Sequence, residues 1–274
     1  MRLTTKIFLG FLLSILSCIL IFMLYLKTTE TNFNRYFNDM NWELSKEIES
    51  VEIAPYKVVS IQRNKARISL EGYITTHKGD LDKIEMNKDL IEYATLDVRN
   101  DTLFIKIEDD LILKRLTSDD DTSVMYSYPR AQGLQIRLPE QKTINICSQE
   151  RFDFYLEDIE IDTLKLDIAG DNNFTINNGK IKTLSFDNKI ANSYHEITFK
   201  FDNTFIGEWN IDAYYVDTNY SEINNSKIDV LNIRAVGECD LPYIPYKTLN
   251  WLPLNENANL KIKLTKPTTI EMKE

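Results

Sequence analysis

The chain has 274 residues, 42 of them acidic and 32 basic, for a net charge of −10. That balance, without any cluster of Lys and Arg, excludes nucleic acid as a partner held by its phosphates. A hydrophobic content of 43% with 11% aromatics excludes a disordered chain, and only 8 Gly and 7 Pro exclude collagen-like or linker-like sequence.

From Ile7 to Leu26 the sequence reads IFLGFLLSILSCILIFMLYL, 20 residues without a charge, bracketed by Lys6 and Lys27. A helix of that length, rising about 1.5 Å per residue, matches the hydrocarbon core of a bilayer. The run is too long for a cleaved signal peptide and ends in bulky Met23, Leu24, Tyr25 and Leu26. The stretch Ile15-Leu16-Ser17-Cys18 loosely resembles a lipobox, but apolar sequence continues beyond the Cys. The expectation is one uncleaved transmembrane helix. Arg2 and Lys6 hold the short tail inside, and the bulk of the chain is extracytoplasmic, periplasmic or at the cell surface.

After a polar link, Phe33, Phe37, Met40, Leu44, Ile48 and Val51 fall at spacings of 4, 3, 4, 4 and 3. That spacing predicts a short juxtamembrane helix packed on its own domain and ended by Pro55. The expected organisation is a tail and anchor over 1–27, a linker and helix over 28–54, and a β-rich domain over 55–274.

From Val58 the apolar period becomes two. Val59 and Ile61, then Ala66, Ile68 and Leu70, predict two strands joined at Arg63-Asn64-Lys65. Residues 80–93 read as a helix or an irregular crossover. Leu96 to Val98 and Leu103, Ile105 and Ile107 predict two more strands about a turn at Asn100-Asp101. Residues 117–123, TSDDDTS, read as a loop.

A repeat follows. Ile161/Leu164/Leu166, Ile181/Leu184/Phe186, Ile206/Trp209/Ile211 and Ile228/Leu231/Ile233 share one three-position pattern, at intervals of 20, 25 and 22. Such a repeat predicts a β-solenoid with Leu164, Leu184, Trp209 and Leu231 stacked as a ladder. A β-sandwich is the alternative, and the constancy of the pattern favours the solenoid. Asn177-Asn178 and Asn224-Asn225 suit turns with left-handed backbone.

Four stretches resemble a known family. KVVSIQRNKARISLEG (57–72), ATLDVRNDTLFIKIE (94–108), LQIRLPEQKTINI (134–146) and IDTLKLDIAGDNNFTI (161–176) are similar to segments of the auto-transporter adhesin head (GIN-type) domain family of Bacteroidetes. The likeness spans about 51–264 and is one of apolar, Gly and Asn patterns. It implies a β-solenoid outside the cytoplasm. It carries no functional residues over, and this chain has fewer glycines and fewer Ser-Gly turns than the family pattern.

No catalytic signature stands out. The two histidines, His77 and His195, lie far apart, and HExxH, GxSxG, Walker and GxGxxG motifs are missing. No metal ligand set or cofactor is expected. Asp109-Asp110 and Asp119-Asp120-Asp121 lack the spacing of an EF-hand and read as solvated acidic loops. Asp167, Asp187, Asp212 and Asp229 occupy related places in the four repeats and are the residues a carbohydrate-active enzyme would use. Cys147 and Cys239 read as buried small residues, with pairing left open. Tyr194, Trp209, Tyr214, Tyr215, Tyr220, Tyr243 and Tyr246 crowd the later repeats, and Tyr214, Tyr215 and Tyr220 are the candidate ligand-binding surface. The function expected is a non-enzymatic, membrane-anchored, adhesin-like module binding an envelope glycan or protein. The alternatives are an accessory sensor domain and a carbohydrate-active solenoid enzyme.

Overall fold

The computed structural model describes residues 15, 17–25, 27, 41–63, 68–80, 82–116, 129–148, 151–168, 172–188, 197–213, 216–217, 222–241 and 246–262. The chain forms two compact units, Met1–Asn41 and Trp42–Glu274. In the first, residues 17–25 are helical and exposed. Among the described residues no helix is long and apolar enough to cross a membrane. Half of the expected span Ile7–Leu26 falls outside them, at 7–14, 16 and 26. The transmembrane helix, and the single-pass localisation built on it, are corrected accordingly.

The second unit is nearly all strand. The strands are β1 (Asn41–Glu43), β2 (Ile48–Glu52), β3 (Val58–Arg63), β4 (Ser69–His77), β5 (Lys83–Asn87), β6 (Ala94–Arg99) and β7 (Thr102–Ile107). Then come β8 (Arg130–Pro139), β9 (Thr143–Ser148), β10 (Phe152–Glu157), β11 (Glu160–Ile168), β12 (Asn172–Asn177), β13 (Lys180–Asn188) and β14 (Ile197–Asp202). The last are β15 (Phe205–Ala213), β16 (Val216–Asp217), β17 (Glu222–Asn224), β18 (Lys227–Ala235), β19 (Glu238–Leu241), β20 (Tyr246–Pro253) and β21 (Asn259–Ile262). Two short helices, α1 (Lys88–Ile91) and α2 (Asp109–Leu116), interrupt them.

The expected juxtamembrane helix is not formed where the chain is described: 41–43 and 48–52 are strands, and 33–40 lie outside the described residues. Trp42 and Leu44, two apart, are both buried, which is strand period and not helix period. β1 pairs with β8 and β2 runs antiparallel to β5, with Val51 opposite Ile84.

The expected closed β-solenoid is also corrected. The strands form two open nine-stranded mixed sheets and one three-stranded sheet. The first sheet runs β17-β14-β12-β10-β4-β8-β5-β2, with β1 on β8, and the second runs β20-β18-β15-β13-β11-β9-β3-β7-β6. Among the described residues no sheet closes on itself, and the arrangement is that of a β-sandwich. The reason lies within each repeat. A segment such as Phe152/Phe154/Leu156, Phe174/Ile176 or Phe199/Phe201 also alternates, and its strand joins the first sheet while the Ile-x-x-Leu strand joins the second. Two apolar faces are thereby made, and they bury each other. Trp209 of the second sheet lies 5.0 Å from Phe199 and 5.3 Å from Phe201 of the first, ring centre to ring centre.

The ladder itself forms as expected. Ile144, Leu164, Leu184, Trp209, Leu231 and Leu249 stand in register across β9, β11, β13, β15, β18 and β20. Leu164, Leu184, Trp209 and Leu231 are fully buried. The Ile-x-x-Φ spacing arises because each strand breaks alternation at one shared place, occupied by Asp162, Lys182, Gly207 and Asp229. At Gly207 a Cβ would lie 2.8 Å from the Lys182 carbonyl oxygen. The turns between sheets form a second ladder. Asp158, Asn178, Asn203 and Asn225 have φ of 52°, 52°, 49° and 47°. The Asn178 amide donates to Asp158 at 3.0 Å, and that of Asn203 to Asn178 at 2.8 Å. The β6–β7 hairpin turns on Asn100 and Asp101, with φ of 49° and 59°. Residues 80–93 hold β5 and α1.

One buried ion pair ties the N-terminal strands together. Arg63, at the end of β3, meets Asp109 at the start of α2 at 3.0 Å, with both side chains fully buried. The guanidinium also donates to the Ile68 and Arg151 carbonyls and lies 5.5 Å from the Phe152 ring centre. Such a pair is costly to break, because either partner alone is a buried charge.

Candidate functional site

The second sheet turns its inner rows to the core and its outer rows to solvent. Because β9 through β20 are parallel and in register, outward residues line up across the strands, about 4.8 Å apart. One row is Asn145, Lys165, Ser185, Asn210, Asn232 and Asn250. Beside it runs Cys147, Asp167, Asp187, Asp212, Arg234 and Leu252. The two rows border a shallow depression of about 290 Å³. Lys165, Ser185, Asp187, Asn210, Asp212, Asn232 and Arg234 supply its polar lining.

The rows are pre-arranged by their own hydrogen bonds. The Asn250 amide donates to Asn232 at 2.7 Å, and the Asn232 amide donates to Asn210 and to Glu208, each at 2.7 Å. Each link fixes a side chain that would otherwise lose rotamer freedom on binding. Arg234 stands 3.4 Å from Asp212, with the Asp side chain 26% exposed and the Arg 54%. The floor therefore carries two carboxylates, two cations and a pair of amides. Burial, and next the charge of Asp167, push the Cys147 thiol up, so Cys147 adds no thiolate to it.

Of the four aspartates singled out in the repeats, Asp167, Asp187 and Asp212 do form one row. Asp229 does not, since it sits at the break in alternation, and Arg234 takes the fourth place in the row. Asp229 instead meets Lys247 at 2.6 Å, and that hydrogen bond holds its carboxyl below the usual range. Tyr214, Tyr215 and Tyr220 lie outside the described residues, as do His195, Tyr194, Tyr243 and Asp119-Asp120-Asp121. Trp209 is core, and Tyr246 is half-buried against it, its phenol pushed up by burial. Asp109 is the buried partner of Arg63 and not a surface carboxylate. Cys147 and Cys239 form no disulfide; one is half-buried in β9 and the other buried in β19. Among the described residues no group of three or more His, Cys, Asp or Glu side chains is placed to hold a metal ion.

Sequence reasoning passed over Arg234, the amide row and an aromatic pair on the opposite sheet, Tyr73 and Tyr155. The amide row was visible as Asn210, Asn232 and Asn250, each one residue after a ladder position.

No family model and no curated protein sequence matches the chain. Among solved structures, it is similar to a proposed adhesin from Bacteroides fragilis at 13% identity, covering 81% of this chain and 99% of that one, with a TM-score of 0.36. A proposed adhesin from Parabacteroides merdae matches at 10% identity, 82% and 99% coverage and a TM-score of 0.31. A proposed cell adhesion protein from Clostridium sporogenes matches at 12% identity, 79% and 99% coverage and a TM-score of 0.29. At these scores the superpositions transfer no role to individual residues.

Proposed function

We propose that the chain is an adhesin-like binding module, of the GIN type, that holds an extended polar ligand on the outer face of the second sheet without turning it over. One observation carries this reading: two rows run in register, both polar across β11, β13, β15 and β18, and border a shallow, pre-bonded depression. A flat face with groups repeating at the strand spacing suits a polymer lying across the strands, such as an envelope glycan or an extended peptide. Tyr214, Tyr215 and Tyr220 belong to the same proposal, the first two because they follow Asp212 closely in the chain.

An enzymatic reading would need two carboxylates flanking a bond across a groove, one of them kept protonated. Here the carboxylates share one side of an open face, and Asp212 is held by Arg234. A sensor reading would need a relay to the membrane, and neither the expected juxtamembrane helix nor the expected anchor is found among the described residues.

The test is an array of envelope glycans and peptides probed with the full chain, alongside Asp187→Ala and Asn210→Ala. Binding should fall about tenfold in each variant while thermal unfolding stays in place. Hydrolysis or lytic cleavage of any arrayed polysaccharide, abolished by Asp187→Asn, would replace this reading with an enzyme.

A further inference from the structure

The outer face of the first sheet carries a feature of a different kind. Tyr73 of β4 and Tyr155 of β10 are register partners, with ring centres 4.8 Å apart and planes inclined by only 21°. That separation equals the spacing between strands, so the rings stack along the pairing direction of the sheet. Tyr73 is 39% exposed, although a large aromatic side chain is usually covered. The same row continues from Tyr155 to Thr175 of β12, Lys200 of β14 and Glu222 of β17. Thr175 is short. A third ring continuing the stack would therefore lie over Thr175, between the outer face of Tyr155 and Lys200.

The surroundings of this slot are polar and already fixed. Asp153 accepts from the backbone and side-chain amides of Asn173 at 2.9 Å each, and Arg151 donates to it at 2.9 Å. Lys200 and Glu222, 3.6 Å apart and both well exposed, form a weak pair that a ligand can displace.

We propose that the slot above Thr175 receives a pyranose ring of a polysaccharide, stacked on Tyr155 as Tyr155 is stacked on Tyr73. A pyranose offers an apolar face of C–H groups to an aromatic ring and a rim of hydroxyls to neighbouring polar groups. Asn173 and Asn177 flank Thr175 along β12, and the Lys200 amine closes the far side. An aromatic side chain of a peptide would fit the stack but brings no hydroxyls to this polar rim. The site lies on the other sheet from the depression and does not depend on it.

Electrophoresis of the full chain through gels containing xylan, mixed-linkage β-glucan, mannan, pectin or dextran tests this directly. Retardation is expected in at least one gel. Tyr155→Ala should weaken it about tenfold. Thr175→Trp should abolish it by filling the slot with the chain's own ring, and its thermal midpoint should show the protein intact. Lys57→Gln, an exposed change away from the slot, should leave retardation unchanged. Failure of every gel to retard the protein would overturn the proposal. Retardation that survives Thr175→Trp would overturn it too, and retardation lost only in Asp187→Ala would assign the glycan to the other face.

Discussion

The strands from β9 to β18 and those from β2 to β8 feed one core but hold it by different means. In the later strands every device recurs: Leu164 is repeated by Leu184, Trp209 and Leu231, and Asn178 by Asn203 and Asn225. In the earlier strands the devices are single. Arg63 and Asp109 form one buried ion pair. Asn87, fully buried, donates to the carbonyls of Ser45 and Gly133 and accepts from the Gln135 amide. Antiparallel β2 and β5 finish one sheet, and the β6–β7 hairpin finishes the other. A repeated row spreads its energy over many equivalent positions. A single buried polar device concentrates it in the few groups that meet there.

The sharpest way to break this contrast is Arg63→Met. It leaves the buried Asp109 carboxylate without its cation, at a cost of about 3–5 kcal/mol. Urea unfolding of the full chain should show it. Adding Asp109→Leu should recover much of the loss, since an apolar pair of similar volume avoids both desolvations. A loss under about 1 kcal/mol for Arg63→Met would mean that the N-terminal strands do not depend on this pair.

Leu184→Ala comes next, at about 2–5 kcal/mol, because it opens a cavity between Leu164 and Trp209. Its neighbour Ser185→Ala points outward and should stay within about 0.5 kcal/mol. Equal effects on thermal unfolding would refute the register.

The repeats were legible because periodicity reports which face of a strand is buried. Leu164, Leu184, Trp209 and Leu231, the Asn turns and the hairpin at Asn100-Asp101 all follow from local pattern. What periodicity omits is the partner of each strand. The alternating Phe174/Ile176 and Phe199/Phe201 segments carry as strong a signal as the Ile-x-x-Leu ones, yet nothing in their spacing says that they join a different sheet. The helical spacing over 33–51 misled for a related reason: it skipped Trp42, which is buried beside β8. At the site, the row of Asp167, Asp187 and Asp212 could be read from the repeat. Tyr73 and Tyr155 could not, because residues 82 apart in sequence meet only through the pairing of β4 with β10.

A smaller effect tests the turns. Asn178 occupies the left-handed region at φ 52°, where a Cβ without a local hydrogen bond costs about 1–2 kcal/mol. Asn178→Ala should lose about that much and Asn178→Gly much less, since Gly accepts this geometry but drops the amide link to Asp158. Similar losses for Ala and Gly would place the stabilisation in the side-chain ladder and not in the backbone.

The smallest effect belongs to the ion pairs that the repeat aligns on the surface. Lys182 meets Asp162 and Lys180 meets Glu160, each at 2.6 Å between β13 and β11. Both carboxyls are held below their usual range, first by the lysine hydrogen bond. A carboxyl whose folded pKa is depressed stabilises the fold above its unfolded pKa, and that contribution is lost as pH falls through the folded value. The unfolded values lie near 3.8 for Asp162 and 4.5 for Glu160, so the contribution is complete at neutral pH and disappears in acid below that range. All four side chains are largely exposed, so water and salt screen the attraction. Lys182→Gln should therefore shift the thermal midpoint only slightly at low salt. The shift should vanish in 1 M NaCl, where the screening length is about 3 Å. A shift that persists in high salt would show that Lys182 contributes through packing of its aliphatic stem, and the aligned charges would then be a consequence of the repeat and not a support for it.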